Sequence, residues 1–118
     1  MEQTDKPKKV YLSGRMKKVS RKVYMKRFAD AEEQLLKYGY KVMNPTRFIF
    51  CRFPWLFALL GYEICLCIDL YMLTKCDAIA MIGEDWMNSR GALTERAFAK
   101  YANKKIIYLS QESASYGE

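Results

Sequence analysis

The residues of this sequence best equipped for chemistry lie between Asp69 and Glu95. A short apolar run, residues 78–82, is bounded by Asp77 and Gly83 and reads as a strand buried on both faces, which implies a parallel sheet. Asn88 and Ser89 then supply a helix start, Gly91 and Ala92 place small residues in its first turn, and Glu95 comes one turn later. Open α/β sheets collect their ligands outside the carboxyl ends of their strands, which is where this order of elements puts Glu95. The first-turn glycine lets a ligand approach the backbone. A carboxylate in such a place can act as a nucleophile or stabilise developing positive charge. The plainer alternative is an exposed helix glutamate paired with Arg96 or Lys100, and Asp69, on the helix feeding the strand, could equally be a solvated helix aspartate.

Several chemistries are excluded at the outset. The chain has no histidine, so histidine catalysis is impossible. Cysteines 51, 65, 67 and 76 fall inside apolar stretches rather than a disulfide framework, and Cys65-Leu-Cys67 has the wrong spacing for a zinc knuckle, so neither a metal nor a cofactor is expected. The polar, basic N-terminus does not resemble a secretory signal, and the expectation is a reduced, cytoplasmic protein. The net charge of +7 is concentrated, since ten of the 20 lysines and arginines fall between Lys6 and Arg27. That cluster attracts phosphate, whether of a nucleotide, a nucleic acid or an anionic membrane, unless it is only a solubilising helix face.

The elements that would position these groups follow from periodicity. One domain over residues 9–110 is expected, with loose polar ends at 1–8 and 111–118. A strand ends in Ser13-Gly14, and a basic loop leads to an amphipathic helix over about residues 20–38. Val23, Phe28, Ala31, Leu35 and Leu36 form its apolar face and Gly39 closes it. A second strand, residues 40–43, stops at Asn44-Pro45. Residues 62–75 read as a helix with Cys65, Ile68, Met72 and Cys76 on its core face and Asp69 on a flank. The helix carrying Glu95 has Ala97, Phe98, Tyr101 and Ala102 as its core face, and residues 105–109 form a last strand. The expected fold is therefore three-layer α/β, Rossmann- or flavodoxin-like, with a four- to five-stranded parallel sheet and helices on both faces.

Asp69-Leu, Leu73, Cys76-Asp77-Ala-Ile, Trp86, Ser89-Arg-Gly91-Ala, Glu95 and Ala99 together resemble the nucleoside 2-deoxyribosyltransferase superfamily. The likeness is nearest to a branch of small bacterial and phage domains (DUF4406), extends to the 2'-deoxynucleoside 5'-monophosphate N-glycosidases, and runs from about residue 9 to residue 109. It implies that Glu95 attacks the anomeric carbon of a 2'-deoxynucleoside or its 5'-monophosphate, while Asp69 holds a sugar hydroxyl or the departing base. It also implies that Tyr11 and Gly14 line the deoxyribose pocket, that Lys17 and Ser89 approach the 5'-phosphate, and that Asn44 leads into the pocket rim. Arg90, between Ser89 and Gly91, would add phosphate binding or obstruct the sugar. A buried Tyr11 that merely packs the sheet is the alternative for that residue. A non-catalytic nucleotide-binding module and a basic adaptor for nucleic acid or membrane remain the competing readings of the whole chain.

Residues 47–62 crowd Phe48, Ile49, Phe50, Phe53, Trp55, Leu56, Phe57, Leu59 and Leu60 together, too briefly and with too many interruptions to span a bilayer. A lid over an aromatic base, a contact between copies of the chain and an interfacial anchor are its possible uses. The resemblance favours the second, because the resembling enzymes assemble as homodimers or larger homo-oligomers.

Overall fold

The computed structural model describes residues 8–48 and 52–109. The expectations for the chain ends, for Lys6, and for Ile49, Phe50 and Cys51 lie outside the described residues. Four strands, β1 (Lys9–Ser13), β2 (Lys41–Met43), β3 (Ala78–Ile82) and β4 (Lys105–Leu109), form one parallel sheet in the order β2-β1-β3-β4. Between them run helices α1 (Arg21–Lys37), α2 (Pro54–Leu60), α3 (Tyr62–Thr74) and α4 (Arg90–Tyr101). Two 3-10 turns, Pro45–Arg47 and Asp85–Asn88, complete the path.

β3 is central and all five of its residues are buried, as the uninterrupted apolar run requires. Its alternate side chains divide the core. Ala78, Ala80 and Ile82 join Val10 and Leu12 of β1 beneath Phe28, Ala31 and Leu35 of α1. Ile79 and Met81 join Tyr11 beneath Leu73 of α3 and Ala92 and Ala99 of α4. The sheet thus reverses its direction of growth after β2, and the helices change face with it, which preserves one hand for the crossovers. That reversal creates a switch point between β1 and β3, where the loops leaving their carboxyl ends part toward opposite faces.

Three helix faces differ from their apolar periodicity. On α1, Leu36 is 52% exposed, while Phe28, Ala31 and Leu35 are buried. On α3 the inward stripe runs through Cys65, Asp69 and Leu73, and Ile68 points outward at 37% exposure. On α4 the buried residues are Ala92, Glu95 and Ala99, whereas Tyr101 is 88% exposed and Ala97 and Ala102 are exposed too. In the last two cases an acidic side chain occupies the middle of the inward stripe. The arrangement is possible because the two carboxyls meet each other and two hydroxyls, so neither is buried without partners.

Gly14, just past β1, is packed too closely for a side chain: a Cβ there would lie 3.2 Å from Cβ of Ile82 and 3.4 Å from Cζ of Phe28. Gly61, between α2 and α3, is demanded by the backbone instead. Its φ of 89° and ψ of 158° belong to a region essentially reserved for glycine, and it allows the two helices to meet at a 102° bend. Among the described residues no single helix is long and apolar enough to cross a membrane.

Phe28→Ala should lower the unfolding free energy by about 3–5 kcal/mol, the usual cost of emptying an aromatic core position. Leu36→Ala should stay within about 0.5 kcal/mol, as an exposed site does. Urea denaturation of the two variants checks the assignment of α1's faces, and equal losses would contradict it.

Candidate active site

Alternation along β1 carries Tyr11 and Ser13 to the same face, toward α3 and α4. Each donates a hydrogen bond to Glu95. The Tyr11 hydroxyl lies 2.8 Å from Oε2 and the Ser13 hydroxyl 2.5 Å from Oε1. All three residues are buried, with Glu95 only 7% exposed. Glu95 reaches this point because Ser89 caps α4: its Oγ accepts from the amide of Ala92 at 3.2 Å and fixes where the helix starts.

Asp69 approaches from α3 and shares hydrogen bonds with Glu95 and Tyr11. Two carboxyls separated by 26 positions in the chain therefore converge beside the carboxyl end of β1. Burial pushes the Asp69 carboxyl well above the ordinary range, and the neighbouring charge of Glu95 pushes it further. Burial raises Glu95 as well, but the hydrogen bonds from Ser13, Tyr11 and Asp69 pull it part of the way back. The consequence is a pair of mutually interacting carboxyls that both resist ionisation up to around neutrality, Asp69 more strongly than Glu95. Oδ1 of Asp69 is buried and has no hydrogen-bond partner among the described residues, an arrangement that leaves an acceptor ready for a ligand hydroxyl. The thiol of Cys65, one turn before Asp69, is raised by burial and by the aspartate.

The remaining sequence candidates divide by position. Gly91 sits in the first turn of α4, where an added Cβ would lie 3.6 Å from the hydroxyl of Tyr62 at the start of α3. Arg90 places its guanidinium 5.5 Å from the centre of the Tyr62 ring. Tyr62, Arg90 and Gly91 thus stand together where the two helices begin. Lys17 is exposed in the loop that follows β1 and Gly14. Asn44 caps the turn after β2 and is buried. Its Oδ1 accepts from the amide and hydroxyl of Thr46, at 3.0 and 2.6 Å, and its Nδ2 donates to Glu32 at 2.9 Å, so its side chain is engaged in shaping the turn after β2.

Ser13 is the residue that sequence reasoning passed over. The signal was present: a serine two positions after Tyr11 on one strand must share its face, and a hydroxyl in a sheet covered on both sides needs a partner. The pairing of Arg27 with Asp85 at 2.9 Å was not legible at all, since 58 residues separate the two. It ties α1 to the loop after β3 across the carboxyl edge of the sheet.

The chain is thus an α/β protein with a doubly wound parallel sheet and two buried, raised carboxyls beside its switch point. Residues 8–108 match the family described as a domain of unknown function (DUF4406), and the chain belongs to that family. Among curated proteins no match is found.

The raised carboxyls determine how stability responds to pH. The folded protein retains protons that the unfolded chain gives up, so the pair makes stability fall as pH rises from the ordinary carboxylate range through neutrality. Asp69→Asn removes the second ionisation. Its melting temperature should exceed that of the parent by on the order of 5 °C at about pH 8.5, with the gain shrinking toward about pH 5. A gain independent of pH would mean that the pair does not share a proton.

Proposed function

We propose that the chain is an N-glycosidase or deoxyribosyltransferase acting on 2'-deoxynucleosides or their 5'-monophosphates, akin to the nucleoside 2-deoxyribosyltransferase superfamily. The observation that carries this reading is the buried Glu95 carboxyl, held at both oxygens by Tyr11 and Ser13 and set against the raised carboxyl of Asp69. In this scheme an oxygen of Glu95 bonds to the anomeric carbon as the N-glycosidic bond breaks, and the electron pair leaves with the base nitrogen. Asp69 holds the sugar hydroxyl or supplies the proton that the departing base takes up. The glycosyl ester is then opened by water, giving the free sugar, or by a second base, giving a new nucleoside. Splitting one displacement into two easier ones is what the carboxylate contributes, and no histidine is needed.

The hydroxyls of Tyr11 and Ser13 serve this scheme by holding both oxygens of Glu95 in one orientation, so the nucleophile loses little freedom on reaction. Ser89, Gly91 and Arg90 flank the place where a 5'-substituent would lie, and Lys17 stands on the loop at the opposite lip. Ser89 in this position favours a nucleotide, and water as the acceptor.

The functional unit in this reading is a homodimer or a larger homo-oligomer. No residue of α2 is buried, and Trp55 and Leu59 are 65% and 75% exposed. Ile64 and Tyr71 of α3 extend the exposed apolar surface at 53% and 60%. Such a surface is large for a solitary domain and calls for cover by a second copy.

Incubation with a panel of deoxynucleosides and their 5'-monophosphates should release free base, read by chromatography, and Glu95→Ala should abolish release by about 10³-fold or more with the fold intact. Release should fall at low pH, where Glu95 gains a proton, and at high pH, where Asp69 loses one. A panel that yields no base refutes the proposal. Trp55→Glu with Leu59→Glu should shift the chain to a monomer in sedimentation velocity, and an unchanged sedimentation coefficient would remove α2 from the contact.

A further inference from the structure

The loop between β1 and α1 holds more cations than the glycosidic scheme uses, which is Lys17 alone. From Gly14 to Ala29 the chain contains seven lysines and arginines and no acidic residue. Lys26 pairs with Asp30 and Arg27 with Asp85. Arg15, Lys17, Lys18 and Lys22 make no ion pair among the described residues. This group is tied to the Glu95 site by the chain itself. Arg15 follows Ser13 by two residues, a reach of about 7 Å, and the Ser13 hydroxyl touches Glu95. Arg15 is also held in place, its Nε donating to the carbonyl of Lys17 at 3.2 Å.

Lys18 supplies an independent observation. Its φ of 65° lies in the left-handed region that favours glycine and asparagine, yet a lysine occupies it. A residue in an unfavourable backbone region at the edge of a candidate site points to a use for its side chain. The patch is compact, because the unpaired cations end at Lys22 and the exposed side of α1 turns acidic at Asp30 and Glu33. One loop and one helical turn suit a short, dense anion. An extended polymer would need cations farther along the helix. A single phosphate brings at most about −2 of charge, less than four unpaired cations can neutralise.

We propose that the Glu95 site, besides the monophosphate, takes and prefers nucleotides with a chain of two or three phosphates, held by Arg15, Lys17, Lys18 and Lys22 of the loop between β1 and α1. This rests on the reading of Glu95 as the sugar-facing nucleophile and names the substrate class for it. The base and deoxyribose lie at the carboxyl pair, and the phosphate chain runs out between the parting loops toward the start of α1, where backbone amides add to the cations.

Calorimetric titration of the full chain with inorganic phosphate, pyrophosphate and tripolyphosphate at constant ionic strength tests the binding. Affinity should tighten at least tenfold from phosphate to tripolyphosphate. Lys18→Gly should raise the melting temperature by relieving the backbone, yet weaken tripolyphosphate about fivefold, a combination that a purely structural loop residue would not give. Lys17→Ala should weaken it similarly. Equal affinity for the three anions, unchanged tripolyphosphate binding by Lys18→Gly, or tighter binding of a single-stranded DNA 20-mer than of tripolyphosphate would each overturn the proposal. In base-release assays deoxynucleoside triphosphates should exceed monophosphates at least tenfold in kcat/KM. Release without that preference sinks the polyphosphate inference alone, whereas graded polyphosphate binding with no release from any nucleotide sinks the glycosidase reading alone.

Discussion

A carboxylate with no water around it must be given hydrogen bonds or it takes up a proton, and the interior of this protein is arranged around that requirement at Glu95. Two hydroxyls from a single strand meet its two oxygens, and a second carboxyl shares the remaining proton. Each donor depends on a different part of the fold. Tyr11 and Ser13 need β1 in register beside β3, Asp69 needs α3 to turn that stripe inward, and Glu95 needs α4 to begin at Ser89. Loss of any one would leave a buried charge underbonded, at a cost of roughly 1–3 kcal/mol or more for the orphaned group.

In the proposed scheme the same requirement explains why the charge would be useful. A glutamate in water is solvated on all sides, and attack on carbon must first strip that shell. Here the hydration shell is replaced by fixed hydroxyl dipoles whose positions are set by packing, so little reorganisation remains to be done. The basic loop after β1 adds a field of the opposite sign a few residues away, and the Arg27–Asp85 pair braces the edge across which that field acts. In the proposed scheme the basic loop and the carboxyl pair together suit a ligand with an anionic tail and a carbon that becomes cationic as its bond breaks.

Much of this was legible before any coordinates. The buried central strand announced itself in residues 78–82, the parallel sheet followed from alternation of strands and helices, and Glu95 could be placed near a strand's carboxyl end from Ser89 and Gly91. What failed was the assignment of faces on α3 and α4. Apolar periodicity assumes that polar residues point outward, so it turned Asp69 to a flank and, beside Phe98, which does pack on the core, chose the exposed Ala97, Tyr101 and Ala102 for the core side of α4. The rule breaks where acidic side chains are partnered inside, and that is the place where it matters here. Ser13 escaped for a related reason, since its role depends on a glutamate 82 residues away. The bonds of the Asn44 side chain to Thr46 and Glu32 were likewise not legible, the second because its partner lies on another element.

Gly61 carries a consequence of its own. Because nothing crowds it and only its backbone angles exclude other residues, it acts as a swivel that sets the heading of α2 without touching the residues around Glu95. Relatives could redirect that apolar arm by changing one position, altering what the domain associates with while leaving the carboxyl pair undisturbed. In the proposed scheme the outermost part of the contact surface would then vary independently of the chemistry.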